Sequence, residues 1–451
     1  MKKMRAIVFI IVIVLSFGLL AGCRGKGGTT SQAGTGISGD LEIAVFSNGD
    51  LMDNFWNYAV DEFRRLYPNV KATLNASPKI EESIRPRFVS GNPPDLYYMG
   101  GWATADENQL TQEGHFMDLT DFFNSADAIG YDVKFKDTFA VQANNTKDGR
   151  LYGIGIDYYV WGAYYNKGMA RQYGWEPPTN WQEFLELAPK IKAAGIYPII
   201  HQGKYPDYLG YGFMQSSIAA NGGRQLLVNM ANLNKGAYLD PVVLDAYRKY
   251  ELLRDNDYLP ASALSLTHTE AQMEWLQGRS FIIPCGNWLE GEMANDIPRG
   301  FEMGFIPSFW NDAGKTPIFV TSTAHISISE KAKNPDAAKE FLRVLFSKNV
   351  VLAHLDMQSG ISVIKEEYAG KELIPSTRDI QEWVNAGKVQ VISAVGGTGG
   401  FEPYPEQRAV INNNIAAILG RQVTAVEALA AIEAECQRIL NDDSIAKVEI
   451  R

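Results

Sequence analysis

The chain has 451 residues and a mass of 50.0 kDa, enough for one or two large domains or about three of average size. Apolar residues make up 46% and charged residues 21%, which excludes global disorder and collagen-like structure. With 42 Lys and Arg against 52 Asp and Glu the formal charge is −10, so no diffuse basic field exists to grip phosphates and nucleic acid is excluded as the main partner; three cysteines exclude a disulfide scaffold.

Residues 1–22 read as an export signal. Lys2, Lys3 and Arg5 form a positive start, Ala6 to Leu15 is an unbroken apolar run, and Ser16 to Leu20 extends it. The run is short for a membrane span. Leu20-Ala21-Gly22-Cys23 resembles the bacterial lipobox, in which small residues admit a peptidase and the Cys thiol is diacylated as the new N-terminus. Cys23 is therefore the expected lipid attachment, which would hold the protein to the cell membrane on its extracytoplasmic side. Residues 23–40 are rich in Gly, Ser and Thr without apolar periodicity, the composition of a flexible tether. Loss of Lys2, Lys3 and Arg5 with the leader takes the charge from −10 to −13. Cys285 and Cys436 remain, far apart in sequence, and read as buried free thiols.

After the tether, Leu41 to Phe46 is a first strand, broken by Ser47-Asn48-Gly49-Asp50. Phe55, Ala59, Phe63 and Leu66 recur at helical steps until Pro68-Asn69, and Val70 to Leu74 is a second strand. A helix over Ile80 to Ser90 stops at Pro93-Pro94, before a third strand at Asp95 to Met99. This alternation favours a mainly parallel sheet covered by helices. Leu151 to Ile156 and Val160 to Tyr165 are strand-like, Trp181 opens a helix capped from Thr179 or Asn180, and Ile196 to Ile200 is another strand. Phe281 to Pro284 is an apolar strand ending at Cys285-Gly286-Asn287-Trp288. Asn334-Pro335 opens a helix with Asn as cap and Pro in the first turn. The last 40 or so residues are helical, in two stripes separated by Gly420.

No catalytic set emerges. The five histidines, His115, His201, His268, His325 and His354, lie too far apart for a helix-borne metal pair, and no metal or cofactor is expected. There is no GxSxG elbow and no Walker loop; Gly396 to Gly400 is glycine-dense but lacks a following Lys. Two carboxylates placed for glycoside hydrolysis need only spatial proximity, so a surface glycosidase or lyase stays open as an alternative. The positive signal is aromatic. Trp102, Tyr158, Tyr159, Trp161, Trp288 and Phe401 sit where loops leave strands, beside Gly and Asn. Open α/β sheets bind ligands at the carboxyl ends of their strands. Sugars offer C–H faces to aromatic rings and hydroxyls to Asp, Glu and Asn.

Eight segments, in order, give the chain a resemblance to the extracellular solute-binding proteins of ABC transporters, specifically the carbohydrate-binding group that includes maltose-binding protein. They are Phe63 to Val70, Phe88 to Leu96, Leu151 to Ile154, Tyr164 to Lys167, Pro178 to Phe184, Gly286 to Trp288, Asn334 to Leu342 and Gly420 to Leu429. The resemblance covers nearly all of 41–440 and implies a type II periplasmic-binding-protein-like fold. Two α/β lobes, each a mainly parallel sheet flanked by helices, would enclose a ligand cleft and close on it by a hinge. The implied N-terminal lobe is 41–153 with 323–361, and the C-terminal lobe is 154–322 with 362–451. Crossovers are implied at Leu151 to Ile154, around Ile318 to His325, and near Gly360 to Ser362.

Carried over residue by residue, the resemblance implies ligand contacts from Asn48, Asp50, Trp102, Asp157, Tyr159, Trp161, Tyr211, Trp288, Phe401 and Glu402. Trp288 matches the stacking Trp of the family, while the glycine-rich run before Phe401 departs from the family pattern. Asp95 reads as structural, bonding backbone near the strand end. The implied function is capture of a mono- or oligosaccharide, by a monomer, for delivery to the transmembrane subunits of a permease, with no bond made or broken. A same-fold binder of a polyol phosphate or polyamine is the alternative within the fold. The proposed contact segments are poor in Arg and Lys, which weighs against phosphate.

Overall fold

In a computed structural model, the structure describes residues 36–451 apart from 48, 101–103, 140–144, 358–360, 365–373, 395–402, 446, 448–449 and 451. Cys23 and the leader therefore lie outside the described residues. The strands are β1 (Gly39–Phe46), β2 (Val70–Ser77), β3 (Leu96–Tyr98), β4 (Asn145–Lys147), β5 (Arg150–Asn166), β6 (Tyr197–Ile199), β7 (Ser280–Gly286), β8 (Met303–Ile306), β9 (Ile318–Ile328), β10 (Ile361–Ser362) and β11 (Gln390–Ser393). The helices that matter below are α1 (Asp50–Leu66), α2 (Ile80–Val89), α3 (Trp181–Ala193), α4 (His268–Leu276), α5 (Leu289–Glu292), α6 (Pro335–Leu345), α7 (Lys348–Met357), α8 (Pro375–Asn385), α9 (Pro405–Leu419) and α10 (Ala425–Asn441).

One sheet runs through the molecule in the order β2-β1-β3-β9-β5-β7-β6. Its wings are parallel: β1 pairs β2 and β3, and β6 pairs β7, all in parallel. The wings are joined by two long strands that run antiparallel to each other, β5 and β9, paired from Ile154–Ile326 to Trp161–Val320. β3 pairs with β9 at Tyr98–Ile326, and β7 pairs with β5 at Trp161–Gly286. Both wings thus point the carboxyl ends of their strands toward the middle of β5. β10 adds a short pairing there, Ile361 with Tyr158 and Ser362 with Asp157.

The strand expected as two pieces is one strand of 17 residues. Gly155 and Asp157 look like breakers in isolation. Here the pairing with β9 continues past them, with a register shift between Gly155 and Asp157 that absorbs one extra residue as a bulge. Asn145 to Lys147, Met303 to Ile306 and Gln390 to Ser393 are strands that the periodicity did not signal, each too short to show a pattern.

Helix ends follow the chemistry of their caps. Asn180 Oδ1 accepts from Glu183 N at 3.0 Å while Glu183 accepts in return from Thr179 N at 2.7 Å. Asn334 caps α6 through Ala337 N, with Pro335 in the first turn. Thr424 and Glu427 form a reciprocal box at the start of α10. Asp95, expected to be structural, accepts from Glu42 N at 2.8 Å, Lys333 N at 2.6 Å and Asn334 N at 2.9 Å. It thereby ties β1 to the start of α6. The main core lies among β5, β7, α3, α9 and α10, with Phe184, Phe213, Tyr238, Tyr247, Phe281 and Trp310 fully buried. Cys285 and Cys436 are both buried and neither is in a disulfide. No described helix is long and apolar enough to cross a membrane.

Candidate ligand-binding site

The turn that leaves β7 is fixed by Asn287. Its Oδ1 accepts from Val160 N at 2.9 Å and its own N donates to Val160 O at 3.1 Å, a two-point clamp on β5. Gly286 precedes it, and a methyl group at Gly286 would overlap the Trp288 ring, so only glycine lets that ring fold back over the strand end. Trp288 is half-buried. Three rings meet it at steep angles: Trp161 at 4.6 Å and 83°, Tyr159 at 5.6 Å and 80°, and Tyr208 at 6.1 Å and 72° between centroids and planes. Edge-to-face pairs of this kind restrain a ring's orientation beyond simple burial. Trp161 is itself held by its indole N–H, which donates to Ser322 Oγ on β9 at 2.9 Å.

A polar rim borders the aromatic group. Tyr208 stacks on His268 at 6.4 Å and 10°. His268 Nε2 lies 3.7 Å from Glu292, whose carboxylate accepts from Gln272 Nε2 at 2.9 Å. Toward β3, the Tyr159 and Tyr98 phenols lie beside Asp157, and burial together with the Asp157 charge pushes both phenols well above their ordinary range. Asp157 is 2% exposed and accepts from His354 Nε2 at 3.1 Å. His325 makes a similar buried pair with Glu107, Nδ1 to Oε1 at 2.9 Å.

Of the residues expected to contact ligand, Tyr159, Trp161 and Trp288 are brought together, and Asp157 lies beneath them, turned to His354. Asn48, Trp102, Phe401 and Glu402 lie outside the described residues, as do the side chains of Asp50 and Tyr211. The backbone of Tyr211 sits in a π-helical turn, Gly210–Gln215, against the Trp161–Gly162 part of β5. Tyr208, Tyr98, His268 and His354 were not expected. Tyr208 carried a usable signal, since it lies in the turn segment that leaves the strand at Ile196 to Ile200, as did Tyr98 at the end of its strand. His354 carried none. Among the described residues no three His, Cys, Asp or Glu side chains converge as a metal site. A surface groove of about 1080 Å³ runs along α1 and the edge strand β2, past Asp53, Arg64 and Lys71, and shares no residue with the aromatic group.

The arrangement is that of a solute receptor: an aromatic platform and a polar rim at converging strand ends. The profile of the bacterial extracellular solute-binding proteins matches residues 48–350, two thirds of the chain, and the chain belongs to that family. It is 24% identical over 450 residues to the diacetylchitobiose binding protein of Streptomyces coelicolor, covering 95% of this chain and 91% of that one. It is 21% identical over 370 residues to the multiple sugar-binding protein of Streptococcus mutans, covering 81% and 84%. A solved chitin oligosaccharide binding protein superposes with a TM-score of 0.76 at 20% identity, over 89% of this chain and 98% of that one. The fold is the type II periplasmic-binding-protein fold.

Proposed function

We propose that this protein captures an oligosaccharide outside the cell and hands it to the transmembrane subunits of an ABC importer. The observation that carries the reading is Trp288, buttressed by Tyr159, Trp161 and Tyr208 at the meeting point of the strand ends. A rigid indole offers a sugar's C–H face a surface at little entropic cost, while His268, Glu292 and the tyrosine hydroxyls are of the type that pairs with sugar hydroxyls. The names of the similar proteins support saccharides in general and chitin-type oligosaccharides as the first to try. The protein binds without making or breaking bonds, as a monomer.

In this reading the two halves of the sheet are lobes, 41–153 with 323–361 and 154–322 with 362–451, that close about β5, β9 and β10. Asn48, Asp50, Trp102, Asp157, Tyr211, Phe401 and Glu402 complete the site with the described rings, and Cys23 carries the lipid anchor. Two experiments test it. Titration of tryptophan fluorescence with chitin, xylan and arabinan oligosaccharides, against phosphate and polyamine controls, should give a saturable change with a saccharide alone; a response only to the charged controls would refute the sugar reading. Cells fed labelled palmitate should label the wild type and not Cys23→Ser, and equal labelling would refute the anchor.

A further inference from the structure

His354, which pairs with Asp157, has no part in the site as described. His354 is on α7, 197 residues from Asp157 and 3% exposed. Its ring is fixed edge-on against Phe55 of α1 at 5.0 Å and 83°. Asp157 stands on β5 just past the bulge, where the strand has a neighbour on each side, Ala324 of β9 and Ser362 of β10. Met52, Phe55, Trp56, Tyr98 and Ile156 surround the pair and leave a space of about 10 Å³, no more than one water. A carboxylate so enclosed needs its partners. Here the partner is a histidine from the helix below, and beside the carboxylate charge lies the phenol of Tyr159, whose ring meets Trp288. Tyr98, at the end of β3, lines the same space, its phenol beside the Asp157 charge. The chain of contacts therefore runs from α7 through the crossing strand to one residue from each wing of the sheet.

We propose that His354 is a positioning residue for ligand binding: it orients Asp157, and through it the Tyr159 and Tyr98 hydroxyls, without touching ligand itself. The proposal rests on the saccharide reading for what is bound, but the orienting role is a property of the protein alone. Supporting groups behind a binding residue are worth about 10- to 100-fold in affinity where they have been removed from metal sites, and a similar scale applies here.

The test uses the full chain carrying tyrosine labelled with ¹³C at Cζ, with Tyr98→Phe and Tyr159→Phe assigning the two phenols. His354→Leu should shift both resonances and weaken binding of chitin oligosaccharide at least about tenfold. His354→Gln, which restores an N–H at the same reach, should return both toward the wild-type values. Val351→Ala, a cavity in the same helix at a residue 4% exposed, controls for simple loosening and should move neither phenol. Should His354→Leu not fold, Asp157→Asn takes its place, keeping the shape and removing the charge, and must shift the phenols. If the phenols stay put in the folded variant, or respond equally to Val351→Ala, the positioning role is wrong. If wild type binds no saccharide, the sugar reading fails while the resonances still decide this one.

Discussion

Trp288 and the glycine before it form a unit. Replacing Trp288 by Ala removes the platform and should weaken saccharide binding by about 2 kcal/mol or more, roughly thirtyfold, in a calorimetric titration. Gly286→Ala leaves the indole in place chemically but forces it off the strand end, so the same loss is expected with the fold retained by circular dichroism. Two buried titratable groups act on stability in opposite directions. Burial pushes the Glu290 carboxyl up to about 7, opposed by the Ser376 N–H that donates to it at 3.0 Å; Asp379 raises it further and Lys167 lowers it. Its contribution is present below the unfolded value of 4.5 and lost as pH rises through about 7, about 3 kcal/mol in all. Glu290→Gln keeps an acceptor for Ser376 and should raise the melting temperature at pH 8 while leaving pH 4 unchanged. Burial alone pushes His201 down to about 3, so its contribution is present above 6.5 and is lost as pH falls. His201→Phe should flatten the loss of stability between pH 6.5 and 4.5, which melting curves across that range would reveal or deny.

Among the residues, those legible in the sequence are the ones whose position in an element is their signal. Trp288 follows an apolar strand and a Gly-Asn pair, and the same logic applied to residues 205–208 points to Tyr208. Asp157 is the instructive case. The sequence sets it beside Tyr159 and Trp161, but its carboxylate turns to His354, which only the fold brings within 3.1 Å.

At the scale of elements, periodicity and caps located the regular pieces because both are local. α1 buries Phe55, Ala59 and Phe63 on one stripe, and Pro335 marks the first turn of α6. β5 escaped as a single strand because its bulge is stabilised by β9, more than 160 residues away, and no local pattern encodes that partner. Long-range ties of this kind carry the stability of the crossing. Asp95 satisfies three backbone N–H groups from two elements, so Asp95→Ala strands them and should cost about 3 kcal/mol or more in urea unfolding. A loss within about 0.5 kcal/mol would mean that solvent replaces those bonds at no cost.

For the whole molecule, the order of strands explains why a site forms where it does. Two parallel wings aim their carboxyl ends at one stretch of β5, and the aromatic residues that leave those ends meet there. Closure of the wings on a ligand follows if ligand binds the closed form more tightly than the open one. The most direct measurement of this account is a thermal-shift comparison of wild type and Trp288→Ala against a panel of oligosaccharides, phosphate and polyamines. A ligand at a hundred times its dissociation constant adds about 2.7 kcal/mol. One saccharide class should raise the wild-type melting temperature, and Trp288→Ala should abolish the rise. A rise with phosphate or polyamine alone, or an equal rise in both proteins, would contradict it.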